Sequence, residues 1–192
     1  MISSPAKTRV LVAEDEAIIR LDLKEMLEEE GFDVVGEASD GDAALRLAEE
    51  RSPDLVIMDI KMPGMDGLTA AERIAERDLA AVLILTAFSQ KDLVTRAAEA
   101  GALGYLVKPF QKSDLLPAID IALARHQQMA TVKAEAKDLS EQLATRKTVD
   151  RAKGKLMDLE GISEADAFRR LQKQAMDERR SMREVAEEVL ND

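Results

Sequence analysis

Short apolar runs alternate with amphipathic stretches over the first 110 residues. Residues 9–13 (RVLVA), 33–37, 54–59, 81–86 and 103–107 each have strand length, and the third and fourth runs are almost continuously apolar. Such continuity marks strands buried on both faces, as in the interior of a parallel sheet. Between them, residues 16–30, 41–51, 66–78 and 90–100 carry helical spacing, and Gly31 and Gly101 stand where helix ends favour a left-handed residue. The alternation predicts an α/β domain: a five-stranded doubly wound parallel sheet with right-handed crossovers and helices on both faces.

From Ser113 the pattern becomes helical throughout. Ser113 reads as an N-cap with Pro117 in the first turn, and one helix is predicted over about 114–158. Met129, Val132, Ala136, Leu139 and Leu143 repeat at 3-4 spacing, a short coiled-coil seam that fits either packing on its own domain or pairing with a second copy. Gly161 breaks the helix, Ser163–Glu164 restarts it to about Met176, and a last helix covers about 181–190. A tail of this size buries little core alone, so it is expected to pack through the long helix or a second subunit. The expected division is a domain at 7–125, a helical linker at 126–145 and a three-helix unit at 146–192.

Composition narrows the chemistry. There is no cysteine and one histidine, which excludes disulfides, thiolate zinc sites and two-histidine metal motifs. His126 lies in the charged stretch LARHQQ and reads as part of a solvated helix face. No run approaches the roughly 18 apolar residues of a membrane span, and the polar start MISSPAKTR lacks a signal-peptide core; the cytoplasm is the expected compartment. The net charge of −11 sits entirely in residues 1–124, with 13 basic against 24 acidic residues, whereas residues 125–192 carry 14 of each. Two units with different partners are implied.

The strand ends concentrate the candidate chemistry. Glu14 and Asp15 follow the first strand, Asp59 ends the third, Thr86 ends the fourth, and Lys108 follows the fifth. Ligands of doubly wound sheets bind beyond these carboxyl ends. Clustered carboxylates call for a cation, and an oxygen-only set suits Mg²⁺. With Lys and Thr beside it, the set suits phosphoryl transfer to a carboxylate. No phosphate-cradling glycine loop is present, so the phosphoryl group must come from a partner and the chain is not itself a kinase.

The segments AEDE (13–16), VIMDIKMPGMDG (56–67), LTA (85–87) and YLVKPF (105–110) resemble response-regulator receiver domains of two-component systems. The resemblance covers residues 7–125 and implies a flavodoxin-like strand order of 2-1-3-4-5. It implies phosphorylation of Asp59 by a sensor histidine kinase, and Mg²⁺ held by Asp15, Asp59 and the backbone carbonyl of Lys61, with Glu14 acting through water. It also implies that Lys108, before a cis Pro109, pairs with the phosphoryl group, and that Thr86, Ala87 and Tyr105 form the phosphate-binding and switch region. Thr86 and Tyr105 also fit ordinary packing. In the switch reading, a new dianion biases two pre-existing conformations of the face built from the fourth strand, fourth helix and fifth strand.

For the tail, a DNA-binding helix-turn-helix fails on charge, because its recognition helix would be SMREVAEEVL, with three glutamates and one arginine. Basic residues gather instead at the end of the long helix (Arg146, Lys147, Arg151, Lys153, Lys155), on the second helix (Arg169, Arg170, Lys173) and at Arg179, Arg180 and Arg183. They suit a footprint for phosphates, and composition alone fits a solvated charged face with matching acids better. Phe168 and Met157 read as core with Ala152 and Leu156, and Gly154 as a point where another backbone approaches or crowding is relieved. The segments RKTVDRAKGKLMD (146–158), ISEADAFRRLQKQAMD (162–177) and MREVAEEVL (182–190) closely resemble the ANTAR domain, the RNA-binding antiterminator module of AmiR- and NasR-type regulators. That resemblance implies recognition of paired stem-loops in nascent transcripts, phosphorylation-dependent antitermination, and a homodimer to match two loops. A protein-docking or dimerisation module without a nucleic-acid role is the alternative.

Overall fold

The computed structural model describes residues 7–87 and 91–191; residues 1–6, residues 88–90, with Gln90 at the head of the expected fourth helix, and Asp192 lie outside them. Strands β1 (Arg9–Ala13), β2 (Asp33–Ala38), β3 (Leu55–Asp59), β4 (Ala81–Thr86) and β5 (Gly104–Val107) alternate with helices α1 (Ala17–Glu29), α2 (Gly41–Arg51), α3 (Gly67–Glu76) and α4 (Lys91–Glu99). All pairings are parallel and the order is β2-β1-β3-β4-β5. Helices α5 (Lys112–Glu160), α6 (Glu164–Glu178) and α7 (Met182–Asn191) complete the chain.

Side-chain alternation along the strands divides the apolar residues between two faces. Leu11, Val56, Met58, Val82 and Ile84 pack with α2 and α3 residues such as Leu45, Ala71 and Ile74. Val10, Val12, Ile57, Leu83 and Leu85 pack with Leu23 and Leu27 of α1 and Leu115 and Ile119 of α5. Every residue of β3 and β4 is buried, which explains their unbroken apolar runs. Local chemistry sets the helix starts: Asp40 caps α2 through the Ala43 amide at 2.7 Å, and Asp66 caps α3 through the Thr69 amide at 2.8 Å.

The chain divides between Met129 and Ala130 into two compact units. The start of α5 differs from the sequence expectation. The helix begins at Lys112, so Ser113 lies inside its first turn and Pro117 beyond it; Asp114 provides the local side-chain bond, accepting from the Gln111 amide at 2.9 Å. His126 is also not on a freely solvated face: its Nε2 is buried without a hydrogen-bond partner, 3.9 Å from Asp78 Oδ1.

The second unit has its own core of Val149, Ala152, Leu156, Ala167, Leu171, Ala175, Val185 and Ala186. Gly161, at φ 66°, ends α5. Ser163 caps α6 through the Asp166 amide. Ser181 and Glu184 form a reciprocal capping box at the start of α7, with the Glu184 carboxylate accepting from the Ser181 amide at 2.8 Å. Phe168 and Met157 are not core residues, being 43% and 37% exposed. The buried stripe of α6 runs 167-171-175 and that of α5 runs 149-152-156, so each of these side chains sits one position outside its stripe. Gly154 is not a close-approach point either, since a Cβ there would meet nothing within 4 Å.

Candidate functional site

Strand register brings the acidic residues together. Ala13 pairs with Met58, so Glu14 and Asp59 stand one residue further on at the same level. Asp59 pairs with Leu85, and Thr86 with Val107, which places Thr86 and then Lys108 just beyond. The Lys108–Pro109 peptide is cis, and the Lys108 amide donates to the Thr86 carbonyl at 2.8 Å.

Lys108 Nζ bridges two carboxylates, at 2.5 Å from Glu14 Oε2 and 2.7 Å from Asp59 Oδ1. The other Asp59 oxygen accepts from the Lys61 amide at 2.8 Å. Glu14 is fully buried, Asp59 and Thr86 nearly so, while Asp15 is exposed. Burial pushes the Glu14 carboxyl above its ordinary range; the Lys108 bond opposes this and the Asp59 charge reinforces it. Burial also works against the Lys108 ammonium, but its bonds to Asp59 and Glu14 outweigh that and hold its pKa above the usual value.

Oxygens of Glu14, Asp15 and Asp59 lie within 4.8 Å of one another. Lys108 brings one positive charge to the two carboxylates it bridges, Asp15 adds a third beside them, and an all-oxygen donor set fits a hard divalent cation such as Mg²⁺. A cavity of about 300 Å³ opens here, lined by Asp15, Asp59, Lys61, Thr86, Ala87 and Lys108, all identified from sequence. Glu16, Ile60 and Leu93 also line it and were not. Arg20, whose guanidinium binds the Glu14 carbonyl, was missed too; its place one helical turn after Glu16 is the only sequence signal for it. Tyr105 does not line the cavity: its side chain stands outward on β5 at 48% exposure.

The basic residues of the second unit do not form one patch. Lys153 Nζ lies 2.7 Å from both Asp150 and Glu164, with its side chain only 14% exposed. Arg169 pairs with Asp166 at 2.6 Å, and Arg170 with Glu160. Lys147 and Arg151 sit on the side of α5 opposite its buried stripe, and Lys173 occupies the equivalent side of α6. The two helices share one core, so these outer faces point apart.

A doubly wound sheet with this acidic edge, joined to a separate three-helix unit, defines a two-part regulator, and comparison with known families agrees. The response regulator receiver domain matches residues 10–120 and the ANTAR domain matches residues 137–190. The chain belongs to the response regulators and carries an antitermination-type RNA-binding domain. It is 57% identical over 182 residues to the transcriptional regulatory protein PdtaR of Mycobacterium tuberculosis, covering 95% of this chain and 89% of that protein. The chemotaxis protein CheY of Bacillus subtilis is 44% identical over 60% of this chain and 97% of its own length. Among solved structures, the receiver domain of the putative response regulator NarL from Mycobacterium tuberculosis superposes with a TM-score of 0.59 at 36% identity, over 62% of this chain and 98% of that one. A CheX–CheY–BeF3–Mg complex from Borrelia burgdorferi gives 0.56 at 31% identity, over 58% of this chain and 85% of that one.

Proposed function

We propose that Asp59 accepts a phosphoryl group from the phosphohistidine of a sensor histidine kinase, and that this changes how the second unit binds stem-loops of nascent RNA. The observation that carries the reading is the Lys108 ammonium bridging Glu14 and Asp59 beside the buried Thr86 hydroxyl. An Asp59 carboxylate oxygen attacks phosphorus in line, the P–N bond breaks, an acyl phosphate forms, and the departing imidazole nitrogen retains its electron pair. Lys108 then turns from carboxylate to phosphoryl oxygens, and the Thr86 hydroxyl offers a hydrogen bond to the new dianion. Asp15, Asp59 and the Lys61 carbonyl, with Glu14 through water, would hold Mg²⁺, whose charge offsets that of the phosphoryl oxygens when bound.

Tyr105, outward in this structure, would follow Thr86 inward, changing the face made by β4, α4 and β5. The chain is thus an acceptor rather than an enzyme acting on a separate substrate. It works in the cytoplasm, where transcripts emerge; among the described residues no helix is long and apolar enough to cross a membrane. Antitermination follows if bound RNA holds a stem-loop arrangement that competes with a terminator hairpin. The exposed seam residues Val132, Leu139 and Leu143 support a phosphorylation-dependent homodimer; they would equally serve the alternative, a docking module without RNA.

The test combines phosphorylation with RNA binding. Wild-type protein should take up phosphate from a small phosphodonor in Mg²⁺ and then bind a two-hairpin transcript more tightly. Asp59→Asn should do neither. Uptake by Asp59→Asn would end the reading of the first unit, and weak, sequence-blind RNA binding in both states would favour the docking alternative.

A further inference from the structure

The second unit neutralises several of its basic residues internally. Lys153, Arg169, Arg170, Arg180 and Arg183 are each held by acidic side chains of the same unit. A cation already paired gains less from a phosphate, because binding must first give up the existing partner. One face of α5 differs. Starting from the inward stripe of Val149, Ala152 and Leu156, the opposite side of the helix is occupied by Lys133, Lys137, Ser140, Ala144, Lys147 and Arg151. All six are exposed, and they recur at 4-3-4-3-4 spacing, one continuous helical stripe. Eighteen steps of about 1.5 Å from Lys133 to Arg151 make it roughly 27 Å long.

The stripe contains no acid; Glu141 and Asp150 project to its two sides, and Glu135 and Asp138 face away from it. Among the described residues Lys137, Lys147 and Arg151 form no ion pair, while Arg146, off the stripe, lies 3.9 Å from Asp150. Ser140 and Ala144 keep the middle low, so a long polyanion can lie close to the helix backbone. The outer face of α6 lacks this character: Asp166 and Asp177 interrupt it, and its arginines are already held.

We propose that the sugar–phosphate backbone of an RNA stem runs along this face of α5, contacted by Lys137, Lys147 and Arg151, so that the long helix rather than α6 supplies the electrostatic grip. The inference rests on the reading of the second unit as an RNA binder. Charge complementarity selects the occupant: an acid-free rail of separated cations suits a regularly spaced polyanion better than a folded protein surface of mixed charge. The rail begins upstream of the three-helix core, so it would extend the contact along α5 beyond that core. It lies beside the apolar seam of Leu139 and Leu143, and its side chains are not those of the seam.

A pool of two-hairpin RNAs with randomised loops, selected on full-length wild-type protein with phosphodonor and Mg²⁺, supplies the probe. Its affinity is then measured across a salt series for wild type, for Lys137→Gln/Lys147→Gln/Arg151→Gln, and for Arg169→Gln/Arg170→Gln/Lys173→Gln. The α5 triple variant should bind about ten- to a hundredfold more weakly and flatten the slope of log affinity against log salt by about 2 to 3. Circular dichroism and sedimentation should match wild type, and Lys137→Arg/Lys147→Arg/Arg151→Lys should restore binding. An equal or larger loss from the α6 variant overturns the assignment. So does a duplex DNA that binds as tightly and is weakened as much, since the stripe would then accept any polyanion. Failure of the wild type to enrich any RNA overturns the underlying RNA reading instead, so the two failures are distinguishable.

Discussion

Gly67 backs onto the carbonyl of Asp59 so closely that a Cβ at position 67 would lie 1.9 Å from that oxygen. The Gly67 amide also donates to the Ile60 carbonyl at 2.9 Å. The first residue of α3 is therefore a wall behind the acidic edge, and it sets where the Asp59 backbone can lie. Gly67→Ala should push β3 and α3 apart, lowering the melting temperature and sharply reducing phosphate uptake. A Gly67→Ala protein with wild-type uptake would show that the strand end can move without consequence.

Lys108 is the internal counter-charge of the site. Lys108→Ala leaves Glu14 and Asp59 facing each other without it, and removing one partner of a buried pair costs about 3–5 kcal/mol. The metal-free variant should be destabilised by an amount of that order, and millimolar Mg²⁺ should recover more stability for it than for wild type. Denaturant unfolding with and without Mg²⁺ measures both effects.

Glu14 gives a pH dependence of defined sign. Its pKa in the folded protein is raised above the ordinary 4.5 by burial, so the folded state binds the proton more tightly than the unfolded chain. Stability of the metal-free protein therefore falls as pH rises from the ordinary carboxylate range through the raised value. As pH rises above the ordinary carboxylate range, wild type should lose stability relative to Glu14→Gln, which cannot ionise. A difference between the two that is flat or of opposite slope, read from melts in chelator, would refute this.

Gly154 sits in mid-helix with open space where a Cβ would go. Gly154→Ala should stabilise the second unit by about 0.5–1 kcal/mol, since alanine loses less backbone entropy in a helix. Thermal unfolding followed by a probe in that unit checks it, and phosphate uptake should not change.

Leu171 is fully buried at the centre of the small core. Leu171→Ala should cost about 2–5 kcal/mol, enough to unfold so small a unit at moderate temperature. Hydrogen exchange should show lost protection in α6 and α7 while the sheet remains protected.

The sheet was legible because β3 and β4 are buried on both faces, so their sequences contain almost nothing but large apolar residues. The acidic site was legible because residues at successive strand ends in a parallel sheet must meet at one edge. Phe168 and Met157 were misplaced for a local reason: each adjoins a truly buried residue, and composition does not say which of two neighbours turns inward. The start of α5 was shifted because Asp114, not Ser113, makes the local side-chain bond.

The sequence by itself determined the periodicities, the helix stops at Gly31, Gly101 and Gly161, and the set of charged groups available at each strand end. These follow from properties a residue carries wherever it sits: apolar area, backbone freedom and ionisation. Only the tertiary structure decided that Lys108 spans both Glu14 and Asp59, that Gly67 touches the Asp59 carbonyl, and that Lys153 is neutralised while Lys147 and Arg151 are not. Those outcomes depend on distances between elements remote along the chain. Coulombic and steric energies vary so steeply with separation that a shift of one or two ångströms changes which group is paired, crowded or free.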